Sequence, residues 1–302
     1  MQINIFREMG MTGFRGAAMT LLLAALPLSA TAQEGRVGTL ILAHGGDRGW
    51  NDQVRAVAAQ VRTGGPVEVS FLMGPEAPLH RFQDAAKRLA DGGATRIVVV
   101  PLLVSSHSGH YEQIRWLAGE TDALEEQMHH HLHMAGIDRA ALRVPMRVAR
   151  AIDDSPDVAR VLAERALALQ PRPAGRALYL LGHGPNEDDA CARWMQNLRP
   201  VADSVRAATG FAEVGVGLVR DDAPDSVRAA AVARVRAEIQ RQHAATGQPV
   251  IVVPVLISRG NVSEVRFRRD LEGLPVVYSG EPLLPHPGLA RWIESRVREN
   301  SN

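Results

Sequence analysis

The chain predicts an α/β protein built of two tandem domains, each a mainly parallel sheet flanked by helices. Three observations carry this. Strand-like and helix-like segments alternate along the chain, the pattern of a parallel sheet covered on both faces. Four landmarks recur in the same order in two halves, and so long a period indicates duplicated domains, not a solenoid. Two Val/Ile-rich runs, before Pro101 and before Pro254, read as central strands buried on both faces.

The landmarks are specific. Leu40–Gly45 (Leu-Ile-Leu-Ala-His-Gly) returns as Tyr179–Gly184 (Tyr-Leu-Leu-Gly-His-Gly). Phe71–Pro78 returns as Gly217–Pro224, Ile97–Ser105 as Val250–Ser258, and Pro156–Arg160 as Pro287–Arg291. Within the first half, periodicity predicts strands at about 37–43, 67–73, 96–104 and 143–149. Helices are expected at about 50–63, 78–92, 108–119 and 156–170. The second half repeats the order. Pro101 and Pro254 lack an amide proton, so they belong near strand ends or at bulges. Pro171, Pro173 and Gly175 mark a linker at 171–175, which separates an N-terminal domain (33–170) from a C-terminal one (176–302).

Residues 1–32 stand apart. Arg7 and Arg15 precede an apolar stretch, Ala17–Leu28, and Ala30-Thr31-Ala32 supplies small residues before Gln33. This is a secretory signal pattern, with Met11 as an alternative start. The expected destination is outside the cytoplasm, the periplasm in a Gram-negative source. The apolar stretch is too short to favour a stable membrane span, and no later segment offers the roughly 20 apolar residues a span needs.

Of 302 residues, 46% are hydrophobic and 22% charged, enough for a sizeable core. A net charge of +1 gives no global field for nucleic acid or an anionic membrane. Apart from Lys87, every basic residue is Arg, which suits bidentate carboxylate recognition but is explained more simply by genome composition. Cys191 is the sole cysteine and forms no internal disulfide.

The chemistry-bearing residues gather at strand ends, where open parallel sheets collect their ligands. His44 follows the first strand and His107 the third. Two imidazoles delivered there can share one divalent metal. Glu76 follows the second strand, either as a carboxylate of the same site or as a helix N-terminal acid favoured by the dipole. His110, one helical turn beyond His107, is a candidate third ligand or base. His129, His130, His131 and His133 form a tract that reads as an accessory metal cluster or as a solvated loop. On a helix, His129 and His133 would share a face.

The second half keeps His183, and Asp222 aligns with Glu76. Ser258-Arg259-Gly260-Asn261 supplies no histidine where Ser106-His107 stands in the first half. The second half is therefore read as structural. Anion binding through Arg259, or His183 reaching across to the first site, are the other readings. There is no Walker pattern, no Gly-x-Gly-x-x-Gly and no Gly-x-Ser-x-Gly elbow, so no nucleotide is expected.

Taken together, Leu-Ala-His44-Gly-Gly, Gly-Pro-Glu76-Ala-Pro and Val-Val-Val-Pro-Leu-Leu-Val-Ser-Ser-His107-Ser-Gly-His110 resemble the sirohydrochlorin cobalto/ferrochelatases of the class II chelatase group. These enzymes insert Co²⁺, Fe²⁺ or Ni²⁺ into tetrapyrroles without ATP. The resemblance implies tandem flavodoxin-like (chelatase-like) domains with the macrocycle in the cleft between them. It implies His44 as the first metal histidine and Glu76 as the base that takes pyrrole protons. The second metal histidine falls in the loop after the third strand. His107 is adopted over His110, because Ser-Ser-His-Ser is similar to one branch of the family. The expectation is thus a tetrapyrrole metal chelatase with His44, Glu76 and His107 as its catalytic residues. The alternative is a periplasmic metal or tetrapyrrole carrier on the same scaffold.

Overall fold

A computed structural model describes residues 35–301. The signal-like segment and its expected cleavage site lie outside the described residues. The first half runs β1 (Val37–Ala43), α1 (Arg48–Ala58), β2 (Val67–Phe71), α2 (Phe82–Asp91), β3 (Arg96–Leu102), α3 (Gly109–Leu117), α4 (Glu126–Met134), β4 (Met146–Val148) and α5 (Pro156–Leu169). The second runs β5 (Ala177–Gly182), α6 (Asp188–Thr209), β6 (Glu213–Leu218), α7 (Asp225–Thr246), β7 (Val250–Val255), α8 (Phe267–Asp270), β8 (Val276–Tyr278) and α9 (Pro287–Asn300). A π-helical turn, Val262–Arg266, leads into α8.

Each half holds a four-stranded parallel sheet, in the orders β2-β1-β3-β4 and β6-β5-β7-β8. The fold class read from the sequence therefore holds. The central strands β1, β3, β5 and β7 are buried along nearly their whole length, as strands covered on both faces must be.

The two strand prolines show how the register tolerates them. In a parallel strand, alternate residues direct both backbone groups to the same neighbour. Ile97 and Val99 face β4: Ile97 N donates to Pro145 O and Val99 O accepts from Ala149 N, each at 2.9 Å. Pro101 has the same parity, but β4 is already past its end, its last pair being Val99 with Val148. Pro254 repeats this beyond the Val252–Tyr278 pair. Each proline sits where no ladder partner awaits its missing N–H.

One feature of the packing could not be read from the chain order. The last helix of each half covers the other half's sheet: α5 packs on β7 and α6, and α9 packs on β3 and α1. The helices also pack on each other. Polar contacts fasten the exchange. Arg165 in α5 donates to the carbonyls of Pro282 (3.0 Å) and Pro285 (2.7 Å) and pairs with Glu281 at 3.1 Å. Glu294 in α9 accepts from the Arg62 amide at 2.7 Å. One apolar cluster accordingly contains residues of both sheets, with Trp292 fully buried in it. The described residues 35–301 form a single compact unit.

Trp292 anchors α9 on the first half from the far end of the chain. Trp292→Ala is expected to cost about 3–5 kcal/mol, with one cooperative transition in urea by fluorescence and circular dichroism. A loss below about 1 kcal/mol, or two separate transitions, would contradict a shared core.

Candidate metal centre

The site forms where the carboxyl ends of the two sheets meet. β1 delivers His44 and β5 delivers His183 through the same local device. After each histidine comes a glycine at positive φ, Gly45 at +92° and Gly184 at +80°. At Gly45 the turn is obligatory, because a Cβ would lie 2.1 Å from the Met73 carbonyl oxygen. The turn brings each glycine carbonyl back onto the preceding ring: His44 Nδ1 lies 2.8 Å from Gly45 O, and His183 Nδ1 lies 2.6 Å from Gly184 O. A carbonyl only accepts, so each Nδ1 carries the proton and each Nε2 keeps its lone pair.

His110, in the first turn of α3, reaches the same state by another route. Gln113 Nε2 donates to Met128 O at 2.7 Å, which fixes the amide orientation. Gln113 Oε1 then accepts from His110 Nδ1 at 2.8 Å, leaving Nε2 of His110 as a free donor to a metal. The rings of His44 and His110 meet edge to face with centroids 4.7 Å apart. Two imidazoles sharing an ion at Nε2–metal distances of about 2.0–2.1 Å have centroids separated by a similar span.

Electrostatics favour the neutral form of His44 and His110. Burial pushes the proton affinity of His110 down to about 4, and His44 lowers it further; the Gln113 bond opposes this, while His183 and His131 add to the lowering. Burial also lowers His44. Its bond to Gly45 opposes, His183 lowers it again, and Asp222 opposes. His183 and Asp222, both from the second half, therefore act directly on the first half's histidine.

The sequence-predicted residues divide as follows. The ring that meets His44 is that of His110, not His107. His107 is held by its backbone: its N–H bonds Ser105 Oγ at 3.1 Å, and its carbonyl accepts from Trp194 Nε1 at 2.7 Å. Glu76 is not a free base. It accepts from Arg55 Nη1 at 2.8 Å and Asn51 Nδ2 at 3.0 Å, and these bonds hold its carboxyl below the usual range. Its role is to hold a turn in place, because buried Asn51 also binds both backbone groups of Gly46, beside His44. His129, His131 and His133 lie on a helix, α4, not in a loop. His129 rests edge to face on Trp116 at 5.1 Å. From the second half, the charge of His183 bears on both His44 and His110. Arg259 is exposed and pairs loosely with Glu264 at 3.6 Å.

Three supporting residues carried no sequence signal of their own: Asn51, Gln113 and Trp194. Trp194 stacks on His183 at 6.1 Å while holding the His107 loop. A reciprocal clasp joins Ser258 Oγ to the Trp50 carbonyl at 3.1 Å. Each half's loop after its third strand thus docks on a tryptophan of the other half. Among the described residues no group of three or more His, Cys, Asp or Glu side chains is placed to hold a metal ion; His44 and His110 meet as a pair. A cavity of about 430 Å³ lies elsewhere, beside β4 and the end of α9, among residues such as Arg147, Arg150 and Glu299.

Residues 38–169 match the sequence model of the CbiX family. Over these residues, less than half of its length, the chain is similar to the CbiX family. No curated protein matches the chain. Among solved structures, SirB from Bacillus subtilis with Fe³⁺ is 17% identical with a TM-score of 0.58, over 88% of this chain and 96% of that one. The sirohydrochlorin chelatase SirB from Bacillus subtilis subspecies spizizenii, in complex with cobalt, is 17% identical with a TM-score of 0.57, over 88% and 95%. CbiX, the terminal enzyme for biosynthesis of siroheme in denitrifying bacteria, is 18% identical with a TM-score of 0.52, over 87% and 99%. These likenesses show a shared two-sheet fold. The CbiX sequence match is confined to the first half, and the second half joins through the fold. Among the described residues no helix is long and apolar enough to cross a membrane.

The neutral imidazoles have a pH signature. A histidine with a depressed folded-state proton affinity binds fewer protons folded than unfolded. In the metal-free chain, His110 therefore contributes stability above its ordinary value of 6.5 that is lost as pH falls to about 4. Urea midpoints at pH 4.5 and 7.0 should differ less in His110→Gln than in wild type. Equal differences would place the histidine in an ordinary solvated setting. Nitrogen-15 NMR of the metal-free protein should show His44, His110 and His183 as Nδ1–H tautomers.

Proposed function

We propose that this protein is an ATP-independent chelatase that inserts a divalent transition metal into a sirohydrochlorin-type tetrapyrrole, with His44 and His110 holding the incoming ion and His183 joining them. The observation that carries this is the meeting of the His44 and His110 rings, centroids 4.7 Å apart, each with Nδ1 tied down, while the charge of His183 from the other half bears on both. Imidazole suits Co²⁺, Fe²⁺ and Ni²⁺ and, unlike thiolate, leaves them exchangeable. The ion is a substrate here. It must bind firmly enough to be presented and loosely enough to be surrendered to four pyrrole nitrogens.

Insertion releases two pyrrolic protons for each divalent ion taken up. Nε2 atoms vacated by the ion are the nearest acceptors. His110, whose proton affinity lies near 4, passes such a proton on to water at neutral pH and is ready for the next ion. With Glu76 engaged by Arg55 and Asn51, Asp222 is the carboxylate that bears on His44. The secretory pattern of residues 1–32 supports a reaction outside the cytoplasm.

The engagement of Glu76 also favours a second reading, a carrier that binds the metal or the macrocycle without joining them. Absorbance of sirohydrochlorin mixed with Co²⁺ separates the two. As a chelatase, the wild type accelerates insertion, His44→Ala and His110→Ala lose it, and His107→Ala stays close to wild type. Metal binding with insertion at the uncatalysed rate would establish the carrier and overturn the enzyme. Gln113→Leu, which frees the His110 ring, should weaken Co²⁺ binding by about 10- to 100-fold.

A further inference from the structure

The histidine tract on α4 is absorbed neither by the fold nor by the centre itself. Its four imidazoles are not equivalent. His129, His130 and His133 are exposed, whereas His131 is half-buried. Nδ1 of His131 is enclosed and has no hydrogen-bond partner, although buried polar atoms nearly always find one. The helix phase explains its direction. His131 stands one turn from Met128, on the same face, and Met128 is pressed against α3. A Cβ on Gly109 would lie 2.8 Å from the Met128 sulfur, so glycine next to His110 is what lets α4 approach. Leu132 is buried beside His131. The charge of His131 bears on His110, as expected of neighbours.

The helix is fixed at both ends. Gln113, the residue that orients His110, donates to Met128 O at 2.7 Å. Past the other end, Gln83 Nε2 donates to Gly136 O at 2.8 Å, and its Oε1 accepts from Asp138 N at 3.2 Å. The helix thus carries three exposed imidazoles and one half-buried, with its Nδ1 enclosed and its charge bearing on His110.

We infer that α4 is the entry site for the metal, where a divalent transition ion is captured by the exposed histidines His130 and His133 and handed inward through His131 to the His44–His110 centre. Capture at the surface and delivery by ligand exchange need weak donors at successive positions, and neutral imidazoles supply them. The unpartnered Nδ1 of His131 supplies the one intermediate donor between the exposed tract and the pair. This inference rests on the reading of His44 and His110 as metal ligands, and the test keeps the two apart.

Co²⁺ is mixed with the metal-free full chain in a stopped-flow instrument, and binding is followed by the visible cobalt absorption. Equilibrium affinity and stoichiometry are measured separately by competition with a chromogenic chelator. The proteins are wild type, His131→Ala, His131→Gln, the triple variant His129→Ala/His130→Ala/His133→Ala, and His243→Ala as a surface control. The inference predicts that loading of the inner centre slows about tenfold in both His131 variants and in the triple variant, and is unchanged in His243→Ala. Affinity at the inner centre should hold in the triple variant. Normal rates in a folded His131→Gln and in the triple variant would overturn the entry role while leaving the centre intact. No cobalt binding by wild type would overturn the centre and the entry site together.

Discussion

The exchange of α5 and α9 between the two sheets is the constraint on which the rest depends. Two parallel sheets joined by a short linker have no intrinsic reason to present their carboxyl ends to each other. Here each sheet borrows a covering helix from the other half, so neither buries its face without the partner. The apolar cluster that results runs through both halves and sets the mutual orientation of β1 and β5. That orientation is what brings His183 and Asp222 within electrostatic reach of His44. Trp194 and Trp50, each holding a loop of the opposite half, refine the alignment at the site.

On this frame the chemistry is decided by hydrogen bonds to Nδ1. An imidazole that is free to rotate and to exchange tautomers is a poor receptor for an ion. A glycine turn fixes His44 and His183, and Gln113 fixes His110. Burial lowers the proton affinity of His44 and His110, so that in the proposed reaction an arriving cation would meet lone pairs there instead of protons. In the proposed chelatase, the low proton affinity of His110 would also discourage retention of protons displaced from a macrocycle. One set of environmental effects therefore serves both halves of an exchange reaction.

The sequence was informative where local pattern and repetition decide structure. Strand positions, the duplication and the delivery of His44 from the end of β1 all follow from burial periodicity and the repeated His-Gly. It was uninformative where loop geometry decides. His107 and His110 are separated by one turn, and only the start of α3 at Gly109, capped by Ser108, determines which ring turns toward His44. Glu76 has the position of an active-site acid, but Arg55 and Asn51, whose roles depend on helix phase and register, claim it. The loss of a histidine beside Ser258 suggested a structural second half, and the sequence does not show that the helices exchange so that the charge of His183 bears on His44. The tract at 129–133 gave no decision between helix and loop, since its helix is held by contacts with Gln113 and Gln83.

Arg220 shows the same limit. It occupies the position of Gly74 and shares its positive φ, a conformation costly for a side chain. Its guanidinium binds the backbone of Pro185 and Asn186 and the Asp188 carboxylate, which offsets the strain and stiffens the loop after His183. The second half has thus kept the backbone shape of a site while changing the residues that impose it.

The central claim is that imidazoles from both halves converge on a single ion. Anomalous diffraction at the cobalt edge, from crystals of the Co²⁺-loaded protein, tests it most directly. The account predicts a dominant peak within bonding distance of His44 Nε2 and His110 Nε2, on the side facing His183. Cobalt bound at His107, or found only on α4 with no peak between His44 and His110, would contradict it.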